Sequence, residues 1–139
     1  MKVLLDTNAF IGFFRNPSQR ELFDSRMQRP LLFMSSVVAL ELYAGCRTTR
    51  QQKALANFLK PFEKAGRVVT PDHGSFREAG RVLARLGGDG IGLVHRRRIV
   101  NDVLIAVTAA RLGAVVVTTN ECDFSRIEKH TPVRWMPPA

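Results

Sequence analysis

Residues 2–8 read Lys-Val-Leu-Leu-Asp-Thr-Asn, a run of apolar residues that ends abruptly in three polar ones. Consecutive apolar side chains are typical of a strand that is buried on both faces, as in parallel sheets. Asp6, Thr7 and Asn8 carry the kinds of side chain that end strands and begin helices. This stretch therefore predicts a short buried strand whose carboxyl end presents a carboxylate, with a helix following it.

The same alternation continues along the chain. Further strands are expected at 31–34, 67–70, 114–118 and 133–135, and helices at 18–28, 35–47, 51–62, 72–86 and 101–112. Gly87 and Gly88 are expected to end the helix at 72–86 and to begin a flexible connection. Strands that alternate with helices predict an α/β fold, a three-layer α/β/α sandwich with a mostly parallel central sheet. The 139 residues fit a single domain, residues 1–139, with its own core.

Four acidic residues lie beside or within apolar runs: Asp6, Glu41, Asp102 and Asp123. An uncompensated buried carboxylate is costly, so such acids need hydrogen-bond partners or a cation. Ligands of parallel sheets bind beyond the carboxyl ends of the strands, which places Asp6 and Asp123 at one rim. Taken singly, each acid could instead end a strand, cap a helix or favour its first turn. Taken together, they predict a Mg²⁺ site whose waters can attack phosphate, as in a phosphodiesterase.

The charge balance favours a polyanionic partner. The chain has 21 Lys and Arg against 12 Asp and Glu, a formal net charge of +9. The candidate RNA-binding residues are a run just before Asp102 and a stripe with a four-residue repeat on the helix at 72–86: Arg96, Arg97, Arg98, Arg77, Arg81 and Arg85. An ordinary solvated basic face, screened by acids such as Glu78, is the alternative interpretation.

Several other classes of site find little support. Cys46 and Cys122 have neither zinc-type nor redox spacing, and His73, His95 and His130 share no ligand spacing, so all five are expected to be structural or surface residues. The chain has no apolar stretch long enough to span a bilayer, and its first residues do not resemble a signal peptide. A cytoplasmic protein with no membrane association is therefore expected.

Four segments, in order, resemble the signature segments of PIN domains, and their spacing is similar to that of VapC toxins from type II toxin–antitoxin modules. They are the segments at 6–8, 39–42, 101–106 and 118–124, which read DTN, ALEL, NDVLIA and TTNECDF. The resemblance covers nearly the whole chain. It implies a metal-dependent endoribonuclease that uses Mg²⁺ or Mn²⁺, forms a homodimer and is neutralised by a cognate antitoxin.

The resemblance also implies roles for individual residues. Asp6, Glu41 and Asp102 match the three core acids of the family. Groups expected to orient them are Thr7, Asn8 and Thr118. Many relatives have Asp where this chain has Asn120, and here the acid comes three residues later, so Asp123 is expected to be the fourth carboxylate and Asn120 a neutral ligand or a residue that holds water.

Two alternatives come from other classes. Dehalogenase-like phosphatases have D-x-D after the first strand, whereas this chain has Asp6-Thr7-Asn8 and lacks the second acid. A non-catalytic RNA-binding or regulatory domain with a PIN fold would have the same charge and fold. It stays open, although the presence of Asp6, Glu41 and Asp102 favours an enzyme.

Overall fold

A computed structural model describes residues 1–27 and 30–138. The strands are β1 (Lys2–Leu5), β2 (Leu31–Ser35), β3 (Val68–Val69), β4 (Val115–Val117) and β5 (Arg134–Met136). The helices are α1 (Thr7–Arg15), α2 (Pro17–Met27), α3 (Ser36–Ala44), α4 (Thr49–Lys64), α5 (His73–Gly88), α6 (Leu93–Arg98), α7 (Val100–Leu112) and α8 (Glu121–Ile127). The expected end of the second helix at Gln28 lies outside the described residues.

All strand pairs in the described sheet are parallel, and the strand order is β3-β2-β1-β4-β5. The prediction of an α/β/α sandwich with a parallel sheet is confirmed. β1 is the central strand, and its residues 3–5 are buried as the apolar run predicts. The chain builds β2 and β3 on one side of β1 and then returns to build β4 and β5 on the other. The point between β1 and β4 is therefore the topological switch point, where ligands of such sheets bind.

Helix α7 provides much of the core. Its residues 103–109 are all buried, and the helix packs against α5 and β4. Its apolar character on every side is typical of a helix that is enclosed by the protein. Gly113 ends it in the left-handed conformation (φ 73°), which glycine adopts without steric cost. The predicted stop at Gly113 is confirmed.

The prediction for the end of α5 is wrong. Gly87 and Gly88 lie inside this helix, which is followed by Asp89 as its C-terminal cap. The reason is a close contact, since a Cβ atom at Gly87 would lie 2.8 Å from Nη1 of Arg96. Helix α6, which carries Arg96, was not predicted either. The glycine thus makes room for the guanidinium group and does not end the helix.

Candidate functional site

Two neighbouring strand ends form the centre of the candidate site. In the β1–β4 register, Leu5 pairs with Val117, so Asp6 and Thr118 follow side by side. The Asp6 amide donates to the Val117 carbonyl oxygen over 2.9 Å, which extends the ladder by one bond. Both side chains are buried. Pairing of the two strands therefore fixes the position of Asp6 at the switch point.

Both carboxylate oxygens of Asp6 accept hydrogen bonds. Oδ1 accepts from the amide of Thr7 at 2.7 Å, as expected of the residue that caps α1, and Oδ2 accepts from the Thr118 hydroxyl at 2.8 Å. Thr118 Oγ1 in turn accepts from the backbone N–H of Asn120 at 3.0 Å. The orientation of the Asp6 carboxylate is thus set by groups from both strand ends.

Glu41 lies on α3, among apolar helical neighbours, and is half-buried. Its Oε1 accepts a 2.9 Å hydrogen bond from the hydroxyl of Thr7, which stands at the start of α1. This contact brings α3 to the end of β1 and supplies the polar partner that a glutamate in such surroundings needs. Asn8, which was expected to orient the acids, is exposed, and its side chain forms no hydrogen bond within residues 1–27 and 30–138.

Asp102 lies in the first turn of α7, where the helix dipole favours a negative charge. The surroundings of Asp102 disfavour the negative charge. Burial raises the pKa of this carboxyl to about 7, and the negative charge of Asp6 adds to the effect, followed by those of Glu41 and Asp123. A hydrogen bond from Asn120 partly opposes this rise. The other three acids therefore lie close enough to repel Asp102, and we call the four residues the acid cluster.

Asn120 connects two members of the acid cluster. Its Nδ2 donates to Oδ2 of Asp102 at 2.7 Å and to Oδ2 of Asp123 at 3.0 Å. A side-chain amide has two N–H donors, so one group can serve both acids. Asp123 itself lies in the first turn of α8 and is buried. Asn120 therefore links the two carboxylates through one donor group.

Two residues at the acid cluster were missed by the sequence analysis. Nε2 of His95 lies 2.8 Å from Oδ1 of Asp123, and Nη1 of Arg126 lies 3.5 Å from the same oxygen. The three-residue spacing of Arg126 from Asp123 on α8 could have indicated that pair. His95 is 28 residues from Asp123 in sequence, and no local pattern indicated the contact.

The acids do not form a ready-made metal cage. Among the residues that the structure describes, no group of three or more His, Cys, Asp or Glu side chains is arranged to hold a metal ion. The donor chemistry nevertheless fits a hard divalent cation, because all four acids offer oxygen and because Asp102 is repelled by the other three. Thr7 donates a hydrogen bond to one oxygen of Glu41, and Asn120 donates one to an oxygen of Asp102.

The basic residues divide into two groups. Nε of Arg96 donates to the carbonyl oxygen of Ile91 at 2.9 Å, and its guanidinium group packs on Gly87, so this arginine has a structural contact. Arg97 and Arg98 are exposed on α6, directly before the helix that carries Asp102. The stripe on α5 is also exposed and consists of Arg77, Arg81 and Arg85. Arg81 lies 3.5 Å from Glu78, the acid expected to screen the stripe.

Two clefts lie near the first helices. The larger, of about 570 Å³, is lined mainly by apolar and aromatic side chains of α1, α4 and the strands β1 and β2. The smaller, of about 380 Å³, lies between α1, α3 and α4 and includes Glu41 in its lining. An apolar cleft thus reaches the edge of the acid cluster.

An acid cluster at the switch point of a five-stranded parallel sheet defines the class of this protein. The sequence profile of the PIN domain matches residues 3–130, and the chain belongs to the PIN domain family. The predicted resemblance is therefore confirmed. No curated protein matches the chain.

Solved structures extend this finding, and VapBC complexes are prominent among the structural neighbours. The DNA-bound VapBC of Salmonella typhimurium has a chain 27% identical to this one, with a TM-score of 0.71 and coverage of 100% of this chain and 99% of that chain. VapBC-1 of nontypeable Haemophilus influenzae gives 24% identity, a TM-score of 0.70 and coverage of 99% and 98%. FitAcB of Neisseria gonorrhoeae gives 18% identity and a TM-score of 0.69, with coverage of 98% of this chain and 97% of that chain. The chain is a VapC-like PIN protein.

Proposed function

We propose that this chain is a metal-dependent endoribonuclease, a phosphodiester hydrolase that acts as the toxin of a toxin–antitoxin pair in the cytoplasm. The observation that carries the proposal is the convergence of Asp6, Glu41 and Asp102 at the switch point of the sheet. Burial, together with the negative charges of Asp6, Glu41 and Asp123, raises the pKa of Asp102 to about 7, which supports a shared site for these acids. PIN and VapC proteins are generally nucleases, which supports the same conclusion.

We infer that a divalent cation, Mg²⁺ or Mn²⁺, is the cofactor. Asp6, Asp102 and Glu41 are the residues that would hold it, with Asp123 adding negative charge behind them. Such an ion, when bound, polarises the phosphate and makes a bound water a stronger nucleophile. The chain's own contribution is orientation, since Thr118 fixes Asp6, Thr7 contacts Glu41 and Asn120 contacts Asp102.

RNA is the proposed substrate because an acid cluster repels a phosphate backbone unless basic groups nearby offset the repulsion. The exposed Arg97 and Arg98 follow one another on α6, directly before α7. The stripe of Arg77, Arg81 and Arg85 adds to the positive surface. Arg96 is a weaker candidate, because its guanidinium group already contacts Ile91 and Gly87.

A cognate antitoxin is the proposed protein partner, since structural neighbours of this chain are VapBC complexes. The smaller cleft suits a partner with an apolar segment, because Leu42, Leu55 and Phe58 line it beside Glu41. A segment seated there would lie next to the acid cluster and would hinder access of RNA. Purification of the chain with the product of an adjacent open reading frame, followed by a cleavage assay, tests this arrangement.

A homodimer is also proposed. Four large apolar side chains are exposed on α3 and α6, namely Leu40, Tyr43, Leu93 and Val94, with exposed fractions from 38% to 67%. Apolar surface of this kind is favourable to bury between protein subunits. Light scattering coupled to size exclusion measures the mass directly.

In the described part of the chain, no helix has the length and apolarity required to cross a bilayer.

The experiment that tests the nuclease proposal is incubation of the purified chain with a panel of single-stranded RNAs in Mn²⁺, in Mg²⁺ and in chelator. Metal-dependent internal cleavage is expected. Binding of RNA without cleavage under every metal condition would favour the other candidate, a non-catalytic PIN-fold domain.

A further inference from the structure

Asp123 is the most fully engaged member of the acid cluster. His95 Nε2 and Arg126 Nη1 both face Oδ1, at 2.8 and 3.5 Å, while Asn120 Nδ2 donates to Oδ2 at 3.0 Å. The side chain of Asp123 is only 11% exposed. Both oxygens of this carboxylate are already engaged by donors, so Asp123 is better suited to anchoring its neighbours than to binding a ligand.

The side-chain amide of Asn120 connects Asp123 to Asp102. With its nitrogen between the two acids, the amide donates to Oδ2 of both. The reverse orientation would place the amide oxygen against two carboxylates, which is electrostatically unfavourable. As long as Asp123 stays in place, the amide of Asn120 has one favourable orientation. That orientation directs one N–H at Asp102.

His95 and Arg126 come from different helices, which makes their meeting at Asp123 informative. His95 lies on α6, whereas Arg126 lies on α8, one turn after Asp123. Their side chains are 41% and 39% exposed, so they cover Asp123 from the solvent side. Within α6, Arg96 bonds to the Ile91 carbonyl oxygen, and its guanidinium group lies against Gly87 of α5. The contact between His95 and Asp123 links α6 to α8.

We propose that His95 and Arg126 are positioning residues that set the location of Asp102 through Asp123 and Asn120. The inference deepens the proposed nuclease function and rests on it, because it assigns two further residues to the same site. Groups that orient metal-binding side chains typically contribute 10- to 100-fold to metal affinity or activity. A purely structural contact between His95 and Asp123 would instead contribute only to stability.

The first test uses the metal-free protein. The side-chain amide signals of Asn120, assigned from their loss in Asn120→Asp, report its orientation in ¹⁵N–¹H spectra. His95→Phe keeps the ring volume but removes the donor, and is expected to shift these signals. His95→Gln supplies an amide N–H at a similar reach and is expected to restore them. His73→Ala, which changes an exposed histidine at the start of α5, is the matched control and should leave them unchanged.

The second test measures Mn²⁺ affinity by calorimetry in the same variants. His95→Phe is expected to weaken binding by about tenfold or more, Arg126→Gln by less, and His95→Gln by little. If His95→Phe does not fold, His95→Ala replaces it. Unchanged Asn120 signals together with Mn²⁺ affinity within about twofold of the wild type, in folded His95→Phe, would overturn the inference. The expected changes in the variants, together with a wild-type protein that cleaves no RNA, would contradict only the nuclease function.

Discussion

The hydroxyl of Thr118 donates a 2.8 Å hydrogen bond to Oδ2 of Asp6, joining the ends of the two strands at the switch point of the sheet. Thr118 is fully buried and Asp6 is 5% exposed, so water contributes little at this contact. Thr118→Val keeps the side-chain shape but leaves Asp6 Oδ2 without this donor. We expect it to cost about 1–3 kcal/mol of unfolding free energy. Denaturant unfolding measures this, and Thr118→Ser, which retains the hydroxyl, is the control. A Thr118→Val variant as stable as the wild type would show that the bond contributes nothing.

The raised pKa of Asp102 predicts how stability depends on pH. The unfolded chain releases this proton near its ordinary pKa of 3.8, while the folded protein keeps it until about 7. Between these values the folded state binds more protons, so stability attributable to Asp102 falls as pH rises and stays low above pH 7. Asp102→Asn lacks this loss. The variant should match the wild type near pH ~4 and exceed it near pH ~8, by an amount on the order of a few kcal/mol.

Unfolding curves at three pH values across this window test the prediction. Because the other acids titrate in both proteins, the difference between wild type and Asp102→Asn isolates the effect of one carboxyl. Millimolar Mn²⁺ should stabilise the wild type more than the variant, since a ligand that binds only the folded state raises its stability. A wild type as stable as the variant at the highest pH would show that neither burial nor the neighbouring charges raise the pKa of Asp102.

Gly87 and Gly88 offer a matched pair inside α5. Replacing an exposed helical glycine with alanine stabilises by up to about 1 kcal/mol, and a Cβ atom at Gly88 meets no other atom within 4 Å. At Gly87 the new Cβ displaces the Arg96 guanidinium group and its bond to Ile91. We expect Gly87→Ala to be less stable than Gly88→Ala by roughly 1 kcal/mol.

A double-mutant cycle identifies the cause. In an Arg96→Ala background the clash is absent, so the two alanine substitutions should become equivalent. A gap between them that persists without the Arg96 side chain would mean that the contact with Gly87 is unimportant.

The sequence predicted the central strand and the buried helix α7 more accurately than the short helix α6 that precedes α7. The buried run at residues 3–5 and the all-apolar helix up to Gly113 are strong local patterns. They place Asp6 at the carboxyl end of a predicted strand and Asp102 at the start of a predicted helix. Helix α6 has six residues, a run of arginines and no capping side chain, so it carried no such pattern. The contact between His95 and Asp123 depends on where α6 packs, which is a property of tertiary structure.

The arginines of α6 should differ in their effect on RNA. If Arg97 and Arg98 neutralise phosphates of a single strand, replacing both with Ala should lower the slope of log affinity against log salt by about 0.7 per phosphate. Arg96→Ala should chiefly lower stability, because its guanidinium group contacts Ile91 and Gly87. Fluorescence anisotropy at several salt concentrations gives the slopes. An unchanged slope in the double variant would remove Arg97 and Arg98 from the RNA surface.

The most direct test of the nuclease mechanism is the rate of RNA cleavage in Mn²⁺ by the wild type and by Asp6→Asn, Glu41→Gln and Asp102→Asn. Each substitution removes one charge with little change in volume, so the cation site should suffer more than the core. We predict metal-dependent cleavage by the wild type and near-complete loss of cleavage in all three folded variants. Cleavage by all three variants at the wild-type rate, or a wild type that cleaves equally well in chelator, would contradict this mechanism.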